Sequence, residues 1–263
     1  MYIASLSSSS TCGNAYVVWG DSTRPVLIDC GVPIRRLTAS LKEFGMEPQD
    51  LAGLFITHEH SDHVKAMCLV TPFAQKYRLP VFASRGFWKW YSRYSCRLDR
   101  DLVRPIAAGE EVVVSGCRVT AFSKPHDALE PLGFIVECDG ERAGFAMDLG
   151  HVTEEITSCL RGLEHLVLES NHDVEMEKRS GRPWHLIQRV LGRLGHLSND
   201  QAAEALCDLV TDTTKQVILA HLSTECNTPE VARSAVLGRL AEVGKKVPVR
   251  VAPARETALY SYS

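Results

Sequence analysis

Leu51-Ala52-Gly53-Leu54-Phe55-Ile56-Thr57-His58-Glu59-His60-Ser61-Asp62-His63 is the stretch on which the reading of this chain turns. Its first six residues are apolar or small, the pattern of a short strand buried on both faces. That strand delivers three imidazoles and a carboxylate within six positions. Imidazole suits zinc, manganese or iron, and carboxylate suits harder ions, so H-x-H-x-D-H after a buried strand reads as a metal site. Four ligands this close crowd a single tetrahedral ion. His58 and His60 alternate out of the strand end toward one ion, while Asp62 and His63 begin the next turn and reach a second. A solvated polar loop with satisfied histidines is the alternative reading.

A two-metal site needs ligands from elsewhere, and strand ends are the place to look. His126 follows an apolar run at 118–122, Asp148 ends the run at 144–147, and His221 ends the run at 216–220. Further strands are expected at 15–19, 25–29, 111–114, 133–138, 142–147 and 166–168, with the last third otherwise mostly helical. Pro33 opens a helix with Ile34, Leu37, Leu41 and Phe44 at helical spacing, and Gly45 closes it. Ser198 and Gln201 form a capping-box pattern before a helix from about Asn199. Thr228 caps another, with Pro229 in its first turn. Leu27-Ile28-Asp29-Cys30-Gly31 and Ala146-Met147-Asp148-Leu149-Gly150 share a strand-Asp-x-Gly form, which suggests two related β halves.

Composition sets the limits. The chain has 263 residues, 45% apolar and 23% charged, which allows one large globular domain or two small ones and excludes disordered, collagen-like and coiled-coil chains. Its net charge of −3 means that a nucleic-acid partner must be held by a local basic patch. No apolar run approaches the roughly 18 residues of a membrane span, and the first ten residues lack the features of a secretory signal. Nine cysteines without a C-x-x-C pair are expected to be free thiols in a reducing cytoplasm.

Taken in order, His58, His60, Asp62, His63, His126, Asp148 and His221 resemble the ligand set of metallo-β-lactamase-fold hydrolases, over nearly the whole chain. The resemblance implies an α+β fold, a single-domain four-layer αββα sandwich over 1–263 without a β-CASP insertion, and a dinuclear site at one edge. It implies that His58, His60 and His126 hold one divalent ion, that Asp62, His63 and His221 hold another, and that Asp148 bridges them. Zinc, manganese and iron all remain open. Asp29 matches the family's structural aspartate, which orients the site without binding metal. His172, with Asp173, follows a strand end and reads as a pair behind the ligands, or as a surface turn.

Glu169-Ser170-Asn171-His172-Asp173-Val174-Glu175-Met176, Gly181-Arg182-Pro183-Trp184 and Gly195-His196-Leu197-Ser198-Asn199 are similar to the YycJ/WalJ group. This group is regarded as bacterial 5′-to-3′ double-strand DNA exonucleases linked to mismatch repair, and it is related to ribonuclease Z. The likeness implies a phosphodiesterase in which a metal-activated hydroxide attacks phosphorus. Asp62 accepts a hydrogen bond from the nucleophile, His196 protonates the leaving oxygen, and Glu169 orients His196. It also implies DNA ends as substrate and mismatch-repair proteins as partners. Met147, His151 and the N-terminal serine loop depart from the group's pattern.

Two basic groups are candidates for the nucleic-acid surface. Arg85, Lys89, Arg93, Arg97, Arg100 and Arg104 recur every three or four residues and form one stripe if the segment stays helical. The interleaved Phe87, Trp88, Trp90, Tyr91 and Tyr94 either stack bases or pack inward. Lys178, Arg179, Arg182, Arg189 and Arg193 lead toward His196 and are the preferred backbone-binding element. The metal ligands alone equally fit a thioesterase, a lactonase, a cyclic phosphodiesterase or an RNA-processing nuclease.

Overall fold

The computed structural model describes residues 1–68, 71–94 and 98–261. Its chain winds first through β1 (Tyr2–Ser7), β2 (Ala15–Trp19), β3 (Val26–Ile28), β4 (Gly53–Phe55), β5 (Val81–Ala83) and β6 (Val103–Pro105). A second set follows: β7 (Glu111–Val114), β8 (Cys117–Ser123), β9 (Leu132–Cys138), β10 (Glu141–Ala146), β11 (His165–Glu169), β12 (Gln216–Ala220) and β13 (Val249–Val251). The last strand, β14 (Ala258–Ser261), returns to pair with β1. Among the described residues the sheets therefore have seven strands each, ordered β14-β1-β2-β3-β4-β5-β6 and β13-β12-β11-β10-β9-β8-β7.

Alternation along each strand builds the layers. Ile3, Tyr16, Ile28 and Phe55 meet Phe134, Phe145, Val167 and Ile218 between the sheets. Phe55 stacks on Phe82 at 4.6 Å and meets Phe134 edge-on at 5.5 Å between ring centroids. The intervening residues face outward. Leu27, Leu54 and Val81 pack under α1 (Ile34–Glu43), α2 (Ser61–Val64), α3 (Phe73–Tyr77) and α4 (Arg85–Tyr91). Leu166, Leu168 and Leu219 pack under α5 (Glu154–Leu160) and, after α6 (Val174–Lys178) and α7 (Trp184–Leu191), under α8 (Asn199–Leu209) and α9 (Pro229–Glu242). The result is the expected αββα sandwich. Strands buried on both faces explain why these segments read as continuous apolar runs.

Several expected boundaries hold, including β2, β7, β12, the α8 capping box and the Thr228 cap of α9. The last third is corrected, because β13 and β14 add strands there. The free-thiol expectation is also corrected. Antiparallel register sets Arg118 opposite Glu137, so Cys117 and Cys138 fall opposite each other and form a disulfide with Cα atoms 4.7 Å apart. Cys96 lies outside the described residues.

The topology places the site. Strands β3 and β4 are parallel, as are β10, β11 and β12. Strand β8 is antiparallel to β9, which is antiparallel to β10, so β8 also runs with β10. Strands β3, β4, β8, β10, β11 and β12 thus finish at one edge of the sandwich, and all the expected ligands follow members of this set.

Candidate metal centre

Sharp turns present the side chains at that edge. Asp29 and His221 follow β3 and β12 directly, Asp148 follows β10 after Met147, and all three adopt left-handed backbone with φ of 58°, 57° and 53° respectively. Non-glycine residues rarely occupy this region, and strain of this kind gathers at functional sites. The glycines after the two aspartates let neighbouring backbone close in. A Cβ on Gly31 would stand 1.6 Å from the Asp62 carbonyl oxygen, and one on Gly150 would stand 2.1 Å from that of Arg193.

Each histidine is held by one nitrogen. His58 Nδ1 lies 2.9 Å from the Thr57 hydroxyl, which donates to Asp29 at 2.8 Å. His63 Nδ1 donates to the same Asp29 carboxylate at 2.7 Å. His126 Nδ1 donates to the Gly195 carbonyl at 3.1 Å. His221 Nδ1 donates to Glu169 at 2.8 Å. Anchoring Nδ1 fixes tautomer and ring orientation and leaves Nε2 as the ligand atom. His60 differs, since its Nδ1 lies 3.2 Å from His126 Nε2.

The Nε2 atoms converge on carboxylates. Asp148 lies 2.8 Å from His63 Nε2 and 3.6 Å from both His126 Nε2 and His221 Nε2. Asp62 lies 3.3 Å from His221 Nε2 and 3.5 Å from His63 Nε2. Ligand atoms of His58, His60 and His126 all fall within 4.8 Å of one another, as do those of Asp62, His63 and His221. His58 Nε2 is buried without a hydrogen-bond partner. An orphaned imidazole nitrogen facing two other imidazoles fits a divalent cation, as the donor set does.

Electrostatics point the same way. Burial pushes the His58 imidazole well down, and pushes His126 to about 4, so both rings are held neutral, the form in which imidazole binds a metal. Burial also opposes charge on His221, yet Asp148, Asp62 and Glu169 hold it up to about 10. His63 is raised well above its ordinary value by Asp148, Asp62 and Asp29 against the same burial. These carboxylates draw positive charge into their midst, which a divalent cation would supply.

Glu169 is fully buried at the end of β11. Its Oε1 accepts from His196 Nδ1 and from His221 Nδ1, both at 2.8 Å. Its Oε2 accepts from the backbone N–H of Leu149 at 2.8 Å and of Leu197 at 2.9 Å. Both oxygens are occupied, so Glu169 orients two histidines. The sequence likeness pairs it with His196 alone, and the fold adds His221.

Three further contributors were missed. Asn14 sits 3.1 Å from His63 Nε2 and 3.4 Å from Asp62. Asn171 donates to the His221 carbonyl at 2.8 Å. Buried Lys124 donates to the carbonyls of Met147 and Asp148, bracing the Asp148 turn. Asn171 lies in the segment that begins at Glu169 and Asn14 closes the N-terminal serine loop, but their partners are 48 to 50 residues away. Asp173 caps α6 by accepting from Met176 N at 2.8 Å, while buried His172 leaves its Nδ1 without a partner.

The basic groups separate. The proposed stripe breaks, because α4 ends at Tyr91. Only Arg85 and Lys89 lie on it, Arg93 follows it, and Arg104 is in β6. Arg97 is outside the described residues. Phe87 and Tyr91 are buried against the outer face of the first sheet, and that packing fixes the helix. By contrast Arg182 and Arg189 line a cavity of about 560 Å³ with Asp62, Asp148, His196 and His221. Both are already paired: Arg189 with Asp127, Arg182 with Glu177 and Glu225. Arg179 pairs with Glu175, and Arg193 meets His151.

Residues 24–222 match the beta-lactamase superfamily domain. The chain belongs to the metallo-β-lactamase superfamily. Within it, the chain is 33% identical to exodeoxyribonuclease YycJ of Bacillus anthracis over 244 residues, 93% of this chain and 90% of that one. It is 30% identical over 247 residues to exodeoxyribonuclease WalJ of Streptococcus pneumoniae, with the same coverage. It is thus YycJ-like and a metallo-hydrolase. The fold of zinc-bound PqqB from Methylobacterium extorquens matches over the full length of both chains, with a TM-score of 0.76 at 16% identity. No helix among the described residues is long and apolar enough to cross a membrane.

Proposed function

We propose that this protein is a dinuclear metal-dependent exodeoxyribonuclease that degrades duplex DNA from 5′ ends in mismatch repair. Glu169 carries the reading. One buried carboxylate orients both a metal-ligand histidine and a histidine whose free Nε2 is available to a leaving group. His58, His60 and His126 would hold one ion, and Asp62, His63 and His221 the other, with Asp148 between. When bound, two such ions acidify water and clamp the attacking and leaving oxygens of a phosphodiester.

The protein's own groups do the rest. Asp29 and Glu169 fix the ligand tautomers. The departing 3′-oxygen is a poor leaving group until protonated, and His196 Nε2 is the donor, since Nδ1 is tied to Glu169. Lys124 and Gly150 keep Asp148 in its left-handed turn. Arg182 and Arg189 offer phosphate-binding charge in the same cavity. The names of the relatives support DNA as the substrate.

The test is degradation of linear duplex DNA bearing a phosphate at one 5′ end only, by manganese-loaded protein and its His196→Ala variant. Nucleotide release from the phosphorylated end, lost in the variant, is expected. Metal-replete protein that leaves DNA and RNA intact would overturn the reading and favour a small-molecule hydrolase.

A further inference from the structure

The cavity wall contains an arginine with two unequal carboxylate partners. Arg182 Nη1 lies 3.2 and 3.3 Å from the two oxygens of Glu177, whose side chain is 0% exposed. The other edge, Nε and Nη2, converges on one oxygen of Glu225 at 3.0 and 2.7 Å. Glu225 is 61% exposed and lines the same cavity as Asp62 and His196.

We propose that Glu225 is a displaceable latch occupying the phosphate site of Arg182. This deepens the function proposed above and rests on it. The two pairs differ in what breaking them costs. Separating Arg182 from Glu177 strands a buried charge, which is expensive. Separating it from Glu225 releases an exposed carboxylate into water, and exposed ion pairs are weak. Arg182 therefore stays in place while its Nε/Nη2 edge exchanges partners. That edge is the two-pronged donor face that matches paired phosphate oxygens, and a single Glu225 oxygen now stands where a phosphate oxygen would sit. The incoming group is a backbone phosphate other than the scissile one, because the metal-site residues take the scissile phosphate. Glu225 thus sets a threshold: ligands with one phosphate lack the second anion needed to move it.

The experiment measures KM for a short DNA duplex and for bis(4-nitrophenyl) phosphate, which carries one phosphate. It also measures duplex affinity by fluorescence anisotropy. Glu225→Gln is expected to lower the duplex KM and Kd by up to about fivefold, the range of an exposed ion pair, and to leave the KM for the one-phosphate diester in place. Arg182→Lys keeps a cation for Glu177 but removes the two-pronged edge. In that background the gain from Glu225→Gln should shrink below about twofold, as coupled residues require. Glu111→Gln, the same charge change at the exposed ion pair with Arg118 away from the cavity and from both basic groups, should leave the duplex KM in place.

The latch is overturned by an unchanged or raised duplex KM and Kd in Glu225→Gln, by an equal gain in Glu111→Gln, or by a full gain in the Arg182→Lys background. If no phosphodiester is turned over, the nuclease reading fails, and the anisotropy series alone decides the latch.

Discussion

Asp29 and Asp148 are the same turn used in opposite ways. Each follows a strand, adopts left-handed backbone and precedes by two residues a glycine that admits another loop. Asp29 gives its oxygens to the Thr57 N–H, the Thr57 hydroxyl and His63 Nδ1. Asp148 faces Nε2 atoms, the ligand side of His63, His126 and His221. A strand-Asp-x-Gly motif therefore builds a rigid carboxylate platform. Whether it orients ligands or serves as one depends on which edges of which imidazoles the fold brings to it.

Removing Asp148 should break this comparison hardest. Asp148→Ala is expected to abolish hydrolysis and to lower metal content by at least one ion per chain, read by elemental analysis. Next comes Glu169→Gln, which loosens His221 and His196 together. It should cost more than His196→Ala, whose expected loss is about 10² to 10⁴ in kcat with full metal content. Equal losses with equal metal content would show that the Glu169–His221 contact is idle. Asp29→Asn should weaken metal affinity by about 10- to 100-fold while both ions still bind at high concentration, as for residues behind the ligands. The smallest effect is structural. Gly31→Ala forces a Cβ onto the Asp62 carbonyl and should cost about 1–3 kcal/mol in urea unfolding, as overpacking does.

Much of this contrast was legible beforehand. Strands buried on both faces gave apolar runs such as 216–220, and each ligand followed such a run. The Asp-x-Gly echo was visible too, although the differing roles of Asp29 and Asp148 came only with the resemblance. Strand β1 escaped notice because Tyr2–Ser7 mixes Ala and Ser with its apolar residues, a weak strand pattern. Strands β5 and β13 have three residues each, too short for periodicity to register. The second partner of Glu169 was unreadable, since His221 lies 52 residues away. Arginine spacing likewise shows charge but not the carboxylates that claim it, so Arg182 and Arg189 looked like free cations. The Cys117–Cys138 bond needed the β8–β9 register, which no cysteine motif announces.

The most direct test of the whole account is metal stoichiometry, measured side by side for the wild-type protein, Asp29→Asn and Asp148→Ala at saturating manganese or zinc. The account predicts two ions per chain in the wild type and in Asp29→Asn, and at most one in Asp148→Ala. Two ions retained without Asp148, or fewer than two in the wild type, would contradict it.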